Sequence, residues 1–304
     1  MPDKQLPRVG VSLPSFGPHT SAEAIVTVAV AADRLGFHAV SATERLLLPA
    51  GPDWCNEMGL PEYDVWDIVE VLTWASAHTR RVRLATGVVN ALFQPPVVLA
   101  RRLATLDQLS GGRLDAGIGQ GWLPEEFTAV GVPLSRRGAG FEDYLAALRA
   151  CWGPDPVEHE GPRYRIPSSR VGPKPVHGIP VRIGAVARPA VERAARLGDG
   201  FVTGVRDWES SAAQIAWYRA AGGTGPVVAQ LMSEWAVEDP DEPVSAFARR
   251  AVTDLEQAAA AGVDELHWGF TMSGVPPHRQ AAALEALAIS LPPTKRTESG
   301  RNGS

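Results

Sequence analysis

The chain is poor in the residues that build covalent or metal frameworks: among 304 residues there are two cysteines, Cys55 and Cys151. Two cysteines cannot form a disulfide network, they show no metal-ligand spacing, and no His/Cys/Asp cluster replaces them. No bound metal is expected, and a reducing, cytoplasmic setting is. A long apolar run is also missing. No window approaches the roughly 18 apolar residues of a membrane span, and the opening "MPDKQLPRVGVSLP" lacks the basic start and apolar stretch of a secretory leader. There is no basic field either. The formal net charge is -5 and the arginines are scattered along the chain, so nucleic acid is not an expected partner.

What is present is a hydrophobic fraction of 45% with a charged fraction of 21%, ordinary for a globular chain with a sizeable core. Strand-like and helix-like patterns alternate along it. "RVGVSLP" reads as a strand, and "SAEAIVTVAVAADRLG" as a helix opened by a capping serine and closed by Gly36. "FHAVSAT", "VRLATGVV" and "LDAGIG" are further strands. Between and after them lie the helices "DVWDIVEVLTWASAHT", "PPVVLARRLATLDQLSGGR", "PEEFTAVG" and "FEDYLAALRACW". A Pro/Gly-rich stretch from Gly153 to Pro180 interrupts the rhythm. Four more units follow, with strands in "VRIGA", "GFVTG", "VVAQLMSEWAV" and "ELHWGFT". Eight strand-helix alternations match the number that closes a (β/α)₈ TIM barrel, with an insertion between the fourth helix and the fifth strand. A doubly wound eight-stranded sheet is the competing architecture. Residues 1–290 are assigned to one barrel domain and 291–304 to a polar tail expected to be disordered.

A barrel carries its chemistry at the carboxyl ends of the strands. Those ends are Pro14 to Phe16, Thr43 to Arg45, Thr86 to Asn90, Gly119 to Trp122, Gly184 to Arg188, Thr203 to Arg206, Glu234 to Ala236 and Gly269 to Thr271. The fourth carries Gly117, Gly119 and Gly121 at alternate positions, which is not the G-x-G-x-x-G spacing of a dinucleotide site. Two readings stand for these glycines. They relieve crowding between barrel strands, or they make room for a large flat ligand with Trp122 as a wall.

The segments "RLATGVV", "PPVVLARRLATLDQLSGGRLDAGIGQGWLPEEFTAVGVP", "VGPKPVHGIPVRIGA" and "AARLGDGFVTG", in that order and spacing, resemble the bacterial luciferase-like oxidoreductases. More narrowly they resemble the branch that uses the deazaflavin coenzyme F420, over roughly residues 8 to 290. The resemblance implies a (β/α)₈ barrel with a flavin or deazaflavin in its mouth and a non-proline cis peptide after the third strand, here Gly87-Val88. It implies ring contacts from Thr43, Glu44, Gly87, Val88, Asn90, Gln120, Gly121 and Trp122, with Gly119 and Gly121 clearing room for the cofactor. It implies an anion site at the backbone of Gly184, Ala185, Val186, Ala187 and Arg188, and of Thr203 and Gly204. A helix starting near Pro189 suits an anion there, through its free N–H groups and dipole.

The chain departs from the pattern in one place. Many relatives have an acidic residue followed by histidine after the second strand, where this chain has Glu44-Arg45. Arginine gives up no proton at ordinary pH, so Arg45 is suited to polarising a carbonyl or binding a carboxylate. Glu44 is then the candidate acid/base, with hydrogen bonding to the cofactor as its alternative role, and Trp122 completes the expected reacting face. Trp54, Phe93 and Trp235 are expected to line the substrate pocket, while Trp66, Trp74, Trp152 and Trp217 are expected to pack in the core. Hydride transfer between F420 and a small unsaturated, carbonyl or alcohol substrate is the implied reaction. The alternatives are an FMN-dependent monooxygenase with a partner reductase, and a cofactor-binding barrel without catalysis. A homodimer and a separate F420- or flavin-reducing enzyme are the expected partners.

Overall fold

The computed structural model describes residues 5–56, 60, 62–231, 242–270 and 275–291. Eight parallel strands close into a ring. In chain order they are β1 (Arg8–Ser12), β2 (Ala39–Ala42), β3 (Arg83–Thr86) with its short continuation β4 (Val89–Asn90), β5 (Leu114–Gly119), β8 (Val181–Gly184), β9 (Gly200–Val205), β10 (Val227–Leu231) and β11 (Glu265–Gly269). Each pairs with the next, and β1 closes the ring on β11 with Arg8 opposite Glu265 and Ser12 opposite Gly269. This is the expected (β/α)₈ barrel.

The helices form where the sequence signals them. Ser21 caps α1 (Ala22–Leu35) by accepting the Ala24 amide at 3.0 Å, and Gly36 ends it at a φ of 80°, a left-handed conformation that glycine adopts without a Cβ penalty. Asp67 caps α2 (Ile68–His78), and α3 (Pro96–Ser110) opens on proline. The short α4 (Pro124–Ala129) precedes α5 (Ala139–Trp152); α6 (Arg188–Leu197), α7 (Trp208–Ala220), α8 (Val244–Ala261) and α9 (Pro277–Ser290) complete the outer layer. Outward strand residues such as Val11, Val40, Leu84, Ile118, Ile183, Phe201 and Leu266 are buried beneath these helices.

The interruption after α5 contains structure that composition alone did not reveal. Strands β6 (Val157–Glu160) and β7 (Arg165–Ser169) form an antiparallel hairpin. Asp143, in the first half of α5, holds its tip: one carboxylate oxygen accepts the Arg163 and Tyr164 amides at 2.6 and 2.9 Å, and the other lies 2.8 Å from His159 Nε2. The tip is thereby fixed at the end of α5 nearest the loop after β5, which lies on the barrel's carboxyl-end face.

Two tryptophans correct the expectation of core packing. Trp66 and Trp74 are exposed, lining an apolar groove of about 410 Å³ between α1 and α2 together with Ala22, Ile25 and Val71. Trp152 does pack, its indole N–H donating to the Ala100 carbonyl at 3.0 Å.

The barrel interior has two unlike ends. At the amino-end face, Arg182 bridges Asp115 (3.0 Å) and Glu265 (3.2 Å), Arg83 Nε donates to Asp115 at 2.7 Å, and His267 Nε2 lies 2.6 Å from Glu265. Arg8 and His38 close on Glu265 from outside, each at 3.4 Å. Burial alone would push the Glu265 carboxyl up, but the hydrogen bond with His267, the close approach of His38 and the Arg182 charge hold it well below the usual range.

Candidate active site

Counting in twos from those inward charges reaches the other end, because strand side chains alternate between faces. From Asp115 the inward series runs to Gly117 and Gly119, from Arg182 to Gly184, and from Glu265 to His267 and Gly269. Gly204 is in register with Gln230, and Gln230 with His267. The last inward position is therefore glycine on four strands, at Gly119, Gly184, Gly204 and Gly269. Gly204 is exposed although Thr203 and Val205 on either side are buried. A shallow dish results at the carboxyl-end face.

One apolar side chain stands in that dish. The Gly87–Val88 peptide bond is cis, as the resemblance implied. A Cβ built on Gly119 would lie 2.6 Å from Val88 Cγ2, and one on Gly184 would lie 3.0 Å from Val88 Cγ1. Val88 is seated between two glycines of neighbouring strands. This revises the expected role of Gly119: the room beside it is occupied by Val88, and the glycine shapes the floor instead of leaving a void above it. Gly121 is revised likewise. Its φ of 76° demands glycine, and the space beside it is filled by Phe93 and Phe127, which meet edge to face at 5.2 Å. Phe93, expected as pocket lining, is in part a packing residue beneath Gly121. Gly87 abuts the side-chain amide of Gln230, an inward polar group that the sequence reading passed over because it lies before the expected end of its strand.

The β2 end supplies the charged groups. Thr43, Glu44 and Arg45 are half-buried. Glu44 Oε2 accepts the Asn90 amide at 2.6 Å, which brings two residues expected in the site into direct contact. Burial raises the Glu44 carboxyl, and the negative charges of Asp67 and Glu126 raise it further. The Asn90 amide and Arg102 oppose them, and the carboxyl is pushed up to about 7. Arg45 donates to the Tyr63 carbonyl within its own loop, so its guanidinium is turned toward residues 63–64 and not held solely for a ligand.

The remaining expected residues divide. Gln120 Oε1 accepts the Gly138 amide at 2.9 Å, joining the β5 end to the loop before α5. Trp122 is 43% exposed and Trp54 half-buried, both in loops on the carboxyl-end face, whereas Trp235 lies outside the described residues. Val186, Ala187 and Arg188 are exposed at the start of α6, with Gly184 and Ala185 half-buried below them. The Arg188 side chain turns back along the helix to Glu192, 2.9 Å away, as a solvated arginine at a helix start does. Thr203 contributes no side chain to the mouth: its hydroxyl points outward and bonds Gln214 of α7 at 2.5 Å. Among the described residues no group of three or more His, Cys, Asp or Glu side chains is placed to hold a metal ion, and no helix is long and apolar enough to cross a membrane.

The closed (β/α)₈ barrel and the cis bond after its third strand are the two features that the resemblance to luciferase-like oxidoreductases implied. The chain belongs to the luciferase-like monooxygenase family, whose sequence model matches residues 8–297. It is 41% identical over 135 residues to an uncharacterized protein of Mycobacterium tuberculosis, covering 44% of this chain and 48% of that one, so the match spans about half of the relative. It is 29% identical over 198 residues to an F420-dependent glucose-6-phosphate dehydrogenase of Amycolatopsis mediterranei, covering 63% of this chain and 55% of that one. Among solved structures, monooxygenase RslO1 from Streptomyces bottropensis superposes with a TM-score of 0.72 at 27% identity, covering 93% of this chain and 98% of that one.

Proposed function

We propose that the chain is an F420-dependent oxidoreductase that transfers a hydride between the deazaflavin and a small organic substrate bearing an unsaturated, carbonyl or alcohol group. The observation that carries this is the floor of the mouth: Val88 seated between Gly119 and Gly184, with inward glycines also at the ends of β9 and β11. A flat heterocycle needs a platform without projecting side chains, and a Cβ at Gly119 or Gly184 would displace the group that makes it. When bound, the deazaflavin supplies two-electron hydride chemistry.

The residues of the chain have separable parts in this reading. Val88, Gly119 and Gly184 support the ring face. The exposed backbone amides from Val186 to Arg188, at the amino end of α6, hold the cofactor's anionic group by helix-terminal hydrogen bonding, with Arg188 secondary because Glu192 engages it. Glu44, near half-protonated at neutral pH, either gives or takes the proton that accompanies hydride movement, while Asn90 fixes the direction of its carboxyl. Trp54 and Trp122 wall the space where substrate sits and limit its water. A homodimer, and a separate enzyme that recharges the cofactor, are the partners of this reading.

A monooxygenase using reduced FMN is the second reading; the likeness to monooxygenase RslO1 favours the reaction type, and 31% identity over 147 residues to an FMNH(2)-dependent dimethylsulfone monooxygenase of Pseudomonas fluorescens favours the cofactor. Fluorescence titration with F420 and FMN, oxidised and reduced, separates the two. Tight F420 and weak FMN binding is expected. Preference for FMN with oxygen consumption would replace the first reading by the second, and binding of neither would remove both.

A further inference from the structure

Glu126 lies outside every strand end. It is the third residue of α4, with 1% of its surface exposed. A carboxylate is withdrawn from water so completely only where hydrogen bonds replace the lost hydration. Its Oε1 accepts the Leu46 amide at 2.6 Å, and the adjacent Leu47 amide also favours the ionised carboxylate. Those two amides open the loop between β2 and α2, which carries Arg45, Trp54 and Tyr63. Glu126 itself stands four residues beyond Trp122. One side chain thus ties together two walls of the mouth, the segment after β5 and the loop after β2.

The tie reaches the acid/base candidate in two residues. Leu46 is two positions beyond Glu44, whose carboxyl rests on the Asn90 amide at 2.6 Å. We propose that Glu126 is a positioning residue of this site: by holding the Leu46 amide it fixes the start of the loop after β2, and with it the placement of the Glu44 carboxyl on Asn90 beside the Gly87–Val88 step.

The charge of Glu126 has a second effect. Glu44 feels Asp67 and Glu126 as repelling charges and Arg102 as an attracting one, the Asn90 amide favours its ionised form, and Tyr144 lies within electrostatic reach. Glu126 is faced by the Leu46 and Leu47 amides and by Arg45. Burial pushes Glu126 upward, while those amides and Arg45 oppose it. Ionised Glu126 therefore helps Glu44 to keep its proton, while the arginine adjoining Glu44 has its own partner at Tyr63. The positioning role stands on contacts within the chain; that the positioned carboxyl handles the reaction's proton rests on the function proposed above.

The experiment uses the ligand-free protein. Hydrogen exchange is followed at residues 44–48, and the Glu44 carboxyl is titrated by infrared difference against Glu44→Gln. Glu126→Ala removes anchor and charge, and is expected to speed exchange at Leu46 and Leu47 by about tenfold or more, the scale of a lost charge-assisted hydrogen bond. Glu126→Gln keeps an oxygen for the Leu46 amide but no charge. It is expected to retain most of the protection and to lower the Glu44 midpoint. Wild-type exchange and an unmoved midpoint in these variants would overturn the proposal. Should Glu126→Ala fail to fold, Glu126→Asp, which keeps the charge but withdraws it by one methylene, replaces it: faster exchange supports the anchor and unchanged exchange refutes it. F420 and FMN titrations of the same proteins keep the two readings apart. A wild type that binds neither cofactor overturns the proposed function, while faster exchange in Glu126→Ala still upholds the positioning role.

Discussion

Glu265 and Glu44 are carboxylates withdrawn from water at opposite ends of one barrel, and they are driven in opposite directions. Glu265 has Arg182, Arg8, His38 and His267 around it and stays ionised. Glu44 has one backbone amide, a more distant arginine and two repelling carboxylates, and is raised to about 7. Burial is common to both, so the difference lies in partners. A buried acid with enough donors is a structural tie, and one with too few is a proton reservoir.

The comparison breaks most severely at Glu265. Glu265→Gln takes from Arg182 one of its two countercharges and from Arg8 its partner, and is expected to cost about 3–5 kcal/mol in urea unfolding at pH 7. Because the folded state depresses this carboxyl, its stabilisation is present above the ordinary value of 4.5 and is lost as pH falls below it. The gap between wild type and variant should therefore narrow on acidification. A gap that widens would contradict the assigned direction.

At the mouth the corresponding break is steric. Gly119→Ala places a methyl against Val88 and is expected to cost about 1–3 kcal/mol. Combining it with Val88→Ala should recover much of that loss, a coupling readable in a double-mutant cycle. Strict additivity would mean that Val88 is not seated where described.

Glu44→Gln sharpens the contrast in sign. A raised carboxyl costs stability progressively as pH rises from 4.5 to about 7, since the unfolded chain ionises first. The variant should melt higher than wild type by the equivalent of up to about 3 kcal/mol above pH 7, and at the same temperature as wild type below pH 4. The smallest effect is expected at Arg188. Its exposed pair with Glu192 predicts a change within about 0.5 kcal/mol for Arg188→Ala, and backbone anion binding predicts a loss of cofactor affinity under about fivefold. A much larger loss would transfer the anion site from the amides to the guanidinium.

The barrel was legible in the sequence because its signals are local. Ser21, Gly36, Pro96 and the alternating apolar segments each fix an element without reference to distant residues. The Gly87–Val88 bond and the Glu44–Asn90 region were found through family resemblance and not through pattern. The rest depends on neighbours that sequence does not put side by side. The partner of Gly119 is Val88 on another strand segment, the partner of Thr203 is Gln214 on the following helix, and the exposure of Trp66 and Trp74 depends on how far α1 and α2 part. Glu126 looked like one more acid at a helix start. Its 1% exposure and its grip on Leu46, 80 positions earlier, are visible only in the fold.

The packed ionic cluster beneath the dish also governs traffic. With Arg182, Asp115, Glu265 and His267 filling the amino end, whatever enters this barrel must leave by the door it came in through. Two guests stacked in such a blind well depart in the reverse of their order of arrival, the upper before the lower. On the proposed function, product-inhibition patterns show an ordered sequence, with the cofactor ring proposed to rest on Val88 first in and last out.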